Sequence, residues 1–267
     1  MSRLDQHSAF GFLIFYPIYV VWTGNWIMDE LAAFLIMFFS MCPDLDIFYG
    51  GIIDKGLRNL DETFQHHYFS FIHYPLLYVP LIGLFLLCLI LDFFPLYFLI
   101  PLVGVYGGHF LPDTISCGDG IMWGKNPFKK DSYARFINVF CKGTDGYHGL
   151  YWDARYRQSF LGKIGNVVVV ISVILLQVFQ IYVSIESFPD TGISIIYVSL
   201  MIYLLISLIM AREEFEHKYL EEPPAGRYQD YRIDPQYIQG LNEKNRKRHL
   251  KKYRELLEEN NIEIKEL

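Results

Sequence analysis

Eight histidines and aspartates stand in a pattern that suits metal chemistry. His7 comes early, in "QHSAF"; "CPDLD" supplies Asp44 and Asp46; "FQHHYFSFIHYP" supplies His66, His67 and His73; "GGHFLPDTIS" supplies His109 and Asp113. Imidazole and carboxylate together suit zinc, and also manganese or iron. His66 and His73 are two helical turns apart, and His109 and Asp113 one turn apart, so each pair can converge on a helix face. Asp44 and Asp46 straddle one residue just after Pro43, a spacing that fits a helix end or loop better than a helix face. The set exceeds the needs of one zinc ion, and two divalent ions bridged by a carboxylate would use it more fully. A metal held there lowers the pKa of a bound water and polarises a scissile group. One carboxylate, with Asp46 the catalytic candidate, can then act as general base instead of ligand.

The elements that must position these groups follow from the hydrophobic pattern. The chain has 267 residues, of which 52% are hydrophobic and 19% charged, with a mean hydropathy of +0.22. A soluble globular domain carries more charge than this. The apolar residues lie in long blocks: Tyr74–Phe94, Pro95–Ile115, Ile164–Ile185 and Ile193–Ala211, each long enough for a hydrocarbon core of about 30 Å. Ala9–Trp22 and Leu31–Met41 are shorter and are read as tilted or short spans. No small-residue cleavage site follows "YPIYVVWTGNW", so the first block does not read as a signal peptide.

The basic residues test this layout. On one side of the predicted bundle lie three short connections, around Gly24–Glu30, Asp92–Pro95 and Glu186–Gly192, and none contains Lys or Arg. All 23 basic residues fall on the other side, which the positive-inside rule makes cytoplasmic. The expectation is an all-α polytopic transmembrane bundle of about six spans in a cell (inner or plasma) membrane, both termini cytoplasmic, with a charged cytoplasmic C-terminal helix. Every candidate ligand then sits at a span end on the cytoplasmic face. Polar groups at span ends rather than mid-membrane count against a metal transporter. A site opening at a membrane surface points to a lipid or lipid-linked ester as substrate, with membrane lipids as surroundings.

The remaining sequence divides at the loops. Residues 1–128 carry the ligand set, 129–163 form a cytoplasmic loop, 164–211 add two helices, and 212–267 are a polar tail. The loop holds Asp145, His148, Asp153, Arg155 and Arg157, a pattern that an ordinary surface loop also produces. Gln177 and Gln180 read as interhelical hydrogen-bonding groups. In the tail, "EEPPAGRYQDYRIDPQ" is a linker and "NEKNRKRHLKKYRELLEENN" one charged, solvated helix, without a strong nucleic-acid signal. Four scattered cysteines give no disulfide framework.

The order of an early His, then P-D-x-D, then H-H with a further His opening a span, then H-x-x-x-D, resembles the YdjM-like membrane-bound metal-dependent hydrolases, also described as LexA-binding and inner membrane-associated. The resemblance covers roughly residues 1–128 and rests on His7, Pro43-Asp44-Leu45-Asp46, "HHYFSFIHY", and His109 with Asp113. Within it, Tyr68 stands where the family usually has arginine, and His73 is one residue further along. The resemblance implies a hydrolase with a metal at the cytoplasmic face. Two alternatives remain beside it: a non-catalytic membrane metalloprotein that partners a cytosolic factor, and, lower in rank, a transporter.

Overall fold

The computed structural model describes residues 3–46, 71–116, 160–186, 192–210, 233, 235–240 and 243–262. All regular structure among the described residues is helical. Each of the six apolar blocks is a helix. Helix α1 spans Leu4–Thr23 and ends at Gly24, whose φ of 72° closes the last turn through an N–H bond to the Val20 carbonyl. Helix α2 spans Glu30–Met41, and the carboxylate of Asp29 accepts from the Ala32 N–H at 2.8 Å to cap it. A 3₁₀ turn, Cys42–Leu45, follows, with Pro43 in its first turn. After it, 3₁₀ turns Phe71–His73 and Pro75–Tyr78 lead into α3, Val79–Ile90.

Helix α4 changes pitch along its length. It is α-helical over Pro95–Leu102, widens to a π-helix over Val103–Phe110, and closes as an α-helix over Leu111–Ser116. Pro101 lies just before the widening and has no N–H for the helical ladder. Helices α5, Phe160–Glu186, and α6, Ile195–Met210, complete the apolar set. Pro95–Ile115 and Phe160–Glu186 are each long and apolar enough to cross a membrane; Pro75–Ile90 and Ile195–Ile209 are apolar but shorter.

The tail departs from the single helix expected. It forms three short ones: α7, Pro235–Gly240; α8, Glu243–Lys252; and α9, Arg254–Glu259. The break is at Tyr253, whose φ of −111° and ψ of 21° leave the helical region. Its ring packs 4.8 Å from that of His249, while Leu257 of α9 is buried. The i→i+4 bonds from the Tyr253 N–H to the His249 carbonyl and from the Leu257 N–H to the Tyr253 carbonyl, both 3.0 Å, continue across the break.

Helix α1 is the hub. Its Ala9, Phe12 and Phe15 share one core with Ala32, Ala33, Ile36 and Met37 of α2, Val169, Leu176 and Phe179 of α5, and Tyr197 and Leu204 of α6. The division between residues 1–128 and 164–211 is therefore a division of sequence; the two parts share one hydrophobic core. Gln180 is buried and joins α5 to the start of α6: its amide donates to the Gly192 carbonyl at 3.2 Å and accepts from the Ser194 N–H at 3.0 Å. Gln177 is exposed and takes no such part. Helix α3 is the opposite of α1: Cys88 is its one buried residue, and Leu86, Leu87 and Ile90 stand exposed.

Candidate metal centre

The helices bring His7, Asp44, Asp46, His73, His109 and Asp113 to one end of the bundle, all of them buried. His66, His67 and the 143–157 cluster lie outside the described residues. His7 comes from the first turns of α1, Asp44 and Asp46 from the end of α2, His73 from the turn before α3, and His109 and Asp113 from the end of α4. Four elements thus meet because α1 to α4 alternate in direction.

Small residues permit the approach. A Cβ placed on Gly108 would lie 2.8 Å from the Gly11 Cα and 2.3 Å from the Ser40 hydroxyl oxygen. On Gly104 it would lie 2.8 Å from the Phe39 Cβ. Glycine at these positions lets α4 press directly on α1 and α2. The π-helical stretch carries all three of Gly104, Gly107 and Gly108, and His109 follows at once. Such stretches recur at functional sites.

Each imidazole is held by its outer nitrogen. His7 Nδ1 lies 3.1 Å from the Gly108 carbonyl, and His109 Nδ1 lies 3.0 Å from the Ser40 carbonyl. A carbonyl only accepts, so both Nδ1 atoms carry the proton. His73 Nδ1 donates to Asp46 Oδ2 at 2.8 Å. All three rings therefore aim Nε2 inward. Metal-ligating histidines are oriented in this way by carbonyls and carboxylates behind them.

The inner nitrogens meet acceptors. His7 Nε2 is 3.2 Å from Asp113 Oδ1 and 3.7 Å from Asp44 Oδ2, and it is buried without a hydrogen bond. His109 Nε2 is 3.5 Å from Asp113 Oδ2, 3.9 Å from Asp44 Oδ1 and 3.3 Å from His73 Nε2. His73 Nε2 is 3.2 Å from Asp44 Oδ1. With Nδ1 committed to a carbonyl, the Nε2 atoms of His7 and His109 face carboxylate oxygens, and His109 Nε2 also faces His73 Nε2. Lone pairs brought this close repel unless a proton or a cation lies between them. Two ligands of one tetrahedral zinc, each about 2.0–2.1 Å from it, are about 3.3 Å apart. The three shortest separations, 3.2, 3.2 and 3.3 Å, match that edge, and the others are longer.

The donors fall into two overlapping triads, His7 with Asp44 and His109, and His73 with His109 and Asp113. His109 offers one lone pair, since its other nitrogen is committed to Ser40. The cluster has the donor types and spacing to hold a metal ion. Asp46 sits behind His73 rather than among the converging Nε2 atoms. His73 is protonated in the metal-free chain: burial opposes its charge, but hydrogen bonds to Asp44 and Asp46 and their charges outweigh it and raise its pKa to about 9. One proton then occupies the edge between His73, His109 and Asp44.

Reading the sequence for side chains passes over Ser40, Gly11 and Gly108. Their roles are a backbone carbonyl and the absence of a side chain. The signal available for the last was Gly107-Gly108 directly before His109. Comparison with family models, with curated proteins and with solved structures returns no match.

Proposed function

We propose that this chain is a multi-pass membrane protein of about six spans with a metal-dependent hydrolytic site at its cytoplasmic end, similar in kind to the YdjM-like hydrolases. The observation that carries the metal is the convergence of the inner Nε2 atoms of His7 and His109, whose outer nitrogens are held by carbonyls, on the carboxylates of Asp44 and Asp113. Support for the membrane comes from α3 and from the outer faces of α5 and α6. Soluble monomers rarely expose apolar patches of more than a few hundred Å², yet Leu86, Leu87, Ile90, Ile174, Ile181, Ile202 and Ile206 all face outward. Lipid is the solvent that suits them.

In this reading His7, Asp44, His73, His109 and Asp113 hold the ion. A bound divalent cation supplies Lewis acidity toward a scissile ester and toward an attacking water. Asp46 keeps the His73 ring turned so that Nε2 faces inward, which makes it a positioning residue rather than the base. The substrate class is an ester of a lipid or lipid-linked phosphate, which would approach from the membrane surface where the site lies. Zinc suits the nitrogen-rich donor set; manganese and iron remain open to the same ligands.

The burial of every donor favours a second reading, a closed metal site that holds the helices together without turnover. Metal analysis of the purified protein, followed by hydrolysis of a panel of lipid phosphoesters and carboxylic esters, tests both. About one or two zinc ions per chain with chelator-sensitive hydrolysis supports the enzyme. Stoichiometric zinc without hydrolysis, and without displacement by small anions, supports the structural site. A metal-free protein overturns both. Topology is tested by cysteine labelling at residues 190 and 250, expected on opposite sides of the membrane; labelling from one side refutes the six-span layout.

A further inference from the structure

His7 is the one donor carried by α1, and its two sequence neighbours are gripped by the last two apolar helices. Gln6 and Ser8 are both buried. The Gln6 amide donates to Asn166 Oδ1 at 3.2 Å and to the Gly162 carbonyl at 3.5 Å, both on α5. Gly165 leaves the room for it, since a Cβ there would lie 2.5 Å from the Gln6 amide nitrogen. On the other side of His7, the Ser8 hydroxyl lies 3.3 Å from the Tyr203 hydroxyl of α6. That tyrosine also reaches Met41 Sδ at 3.1 Å, at the end of α2 and three residues before Asp44.

We propose that the α5–α6 hairpin fixes the rotation of α1 and thereby sets His7 in the metal centre, with Asn166 and Tyr203 as positioning residues. The proposal rests on the reading of the cluster as a metal site. Successive helical residues point about 100° apart, so Gln6 and Ser8 leave α1 on either side of His7, and the contacts of both, with the Ser8 hydroxyl shared between the Leu4 carbonyl at 3.0 Å and Tyr203, resist turning of the helix. The contact of Gly11 with Gly108 sets how close α1 and α4 come, but a surface without side chains resists rotation weakly. The magnitudes make the lock matter. A ring nitrogen roughly 7 Å from the helix axis moves about 0.6 Å when the helix turns about 5°. Metal–ligand distances tolerate about 0.2 Å. A small rotation of α1 is therefore enough to take His7 out of coordination.

The test uses the full chain in detergent with cobalt(II) as probe, reading both affinity by competition and the visible d–d absorption that reports the ligand set. Asn166→Leu and Tyr203→Phe should each weaken cobalt binding about tenfold or more, in line with losses seen when groups that orient ligands are removed, and should change the absorption band. Asn166→Asp, which keeps the acceptor for Gln6, should retain the wild-type spectrum. Gln180→Ala, in the same hairpin but at its far end, should lower thermal stability and leave the spectrum alone. Tyr203→Phe removes one hydroxyl only, so it decides the matter if Asn166→Leu does not fold. Wild-type spectra and affinities in Asn166→Leu and Tyr203→Phe would overturn the proposal while the metal reading stands. An equal spectral change in Gln180→Ala would also overturn it, by showing a general loosening. A wild-type chain that binds no cobalt would remove the metal reading and the proposal together.

Discussion

At one end of the bundle three imidazoles and three carboxylates converge; at the other, four tyrosines surround the turn between α1 and α2. The histidine end is buried throughout, whereas the tyrosine end runs from the buried Tyr197 to the exposed Tyr16–Trp26 bond, and the two satisfy their polar groups differently. At the tyrosine end donors meet acceptors. Tyr16 donates to the Trp26 carbonyl at 2.8 Å, Tyr97 to Asp29 Oδ1 at 3.2 Å, and Tyr197 to the Met28 carbonyl, while the Tyr19 oxygen accepts from the Asp29 N–H at 3.1 Å. At the histidine end the outer nitrogens are paired and the inner ones meet carboxylate oxygens. The first network is complete with protein atoms. The second needs protons or a cation between its facing groups, because burial of facing acceptors without one is costly. Polar burial alone thus says little about function; the direction in which the hydrogens point is what separates a strap from a binding site.

The largest effect expected is at the histidine end. His109→Ala removes a donor common to both triads, so bound zinc should fall from stoichiometric to near zero. Asp113→Asn keeps the size of the side chain but loses the charge that faces both His7 and His109, and it should reduce bound zinc as well. Stripping the wild type with chelator should lower its melting temperature, since a ligand at about 100 times its Kd contributes about 2.7 kcal/mol. Metal analysis and thermal melts of the variants beside wild type check this. Unchanged zinc content in both variants would mean that the two residues merely end α4 at the water interface.

Asp46→Asn comes next. The change leaves His73 in place but weakens its outer hydrogen bond, and the expected loss is about 10- to 100-fold in affinity with the stoichiometry kept. A loss as complete as that of His109→Ala would make Asp46 a ligand. The same pair gives a pH dependence. His73 is held protonated up to about pH 9 by Asp44 and Asp46, so an incoming ion must displace that proton. Apparent zinc affinity should therefore rise with pH between about 6 and 8, by up to about tenfold per unit for one proton released, and calorimetry in buffers of different ionisation enthalpy should register that proton.

Much of this architecture was legible in the sequence, because apolar runs and histidines placed at their ends are long-range patterns. All six apolar blocks are helices, and Pro43 does end α2 in a 3₁₀ turn, as Asp44 and Asp46 required. What could not be read was which face of a ring does what. Asp46 and Asp44 are separated by one residue and look equivalent, yet one backs the outer nitrogen of His73 and the other faces its inner nitrogen. That difference depends on the turn at Cys42–Leu45 and on where His73 arrives from a distant segment. The tail differs from the single helix that its sequence suggests, since it is interrupted at Tyr253. Its charge pattern favours one helix, yet the backbone at Tyr253 leaves the helical region.

A smaller effect is expected where α1 and α4 touch. Gly108→Ala would force a methyl group toward the Gly11 backbone and the Ser40 side chain, and overpacking of this kind costs about 1–3 kcal/mol. Because Gly108 and Ser40 also supply the carbonyls that hold His7 and His109, the variant should bind zinc more weakly as well as melt lower. Loss of stability with unaltered zinc affinity would show that the rings tolerate the separation of the helices.

Tyr197→Phe should have the smallest effect, and it tests the comparison from the other side. The Tyr197 ring is buried against Phe179, with centroids 5.8 Å apart, and its hydroxyl donates to the Met28 carbonyl. Phenylalanine keeps the ring and loses only the hydrogen bond. The typical net value of such a bond is about 0.5–1.5 kcal/mol, and the carbonyl left behind adds a desolvation cost of the same order. The melting temperature should therefore fall by a few degrees. Zinc stoichiometry, zinc affinity and the cobalt spectrum should not change, since the tyrosine network closes on itself and shares no hydrogen bond with the histidine end. A drop in metal affinity would instead show that the turn between α1 and α2 controls the rotation of α1 along its whole length, and the two ends would then have to be treated as one coupled device.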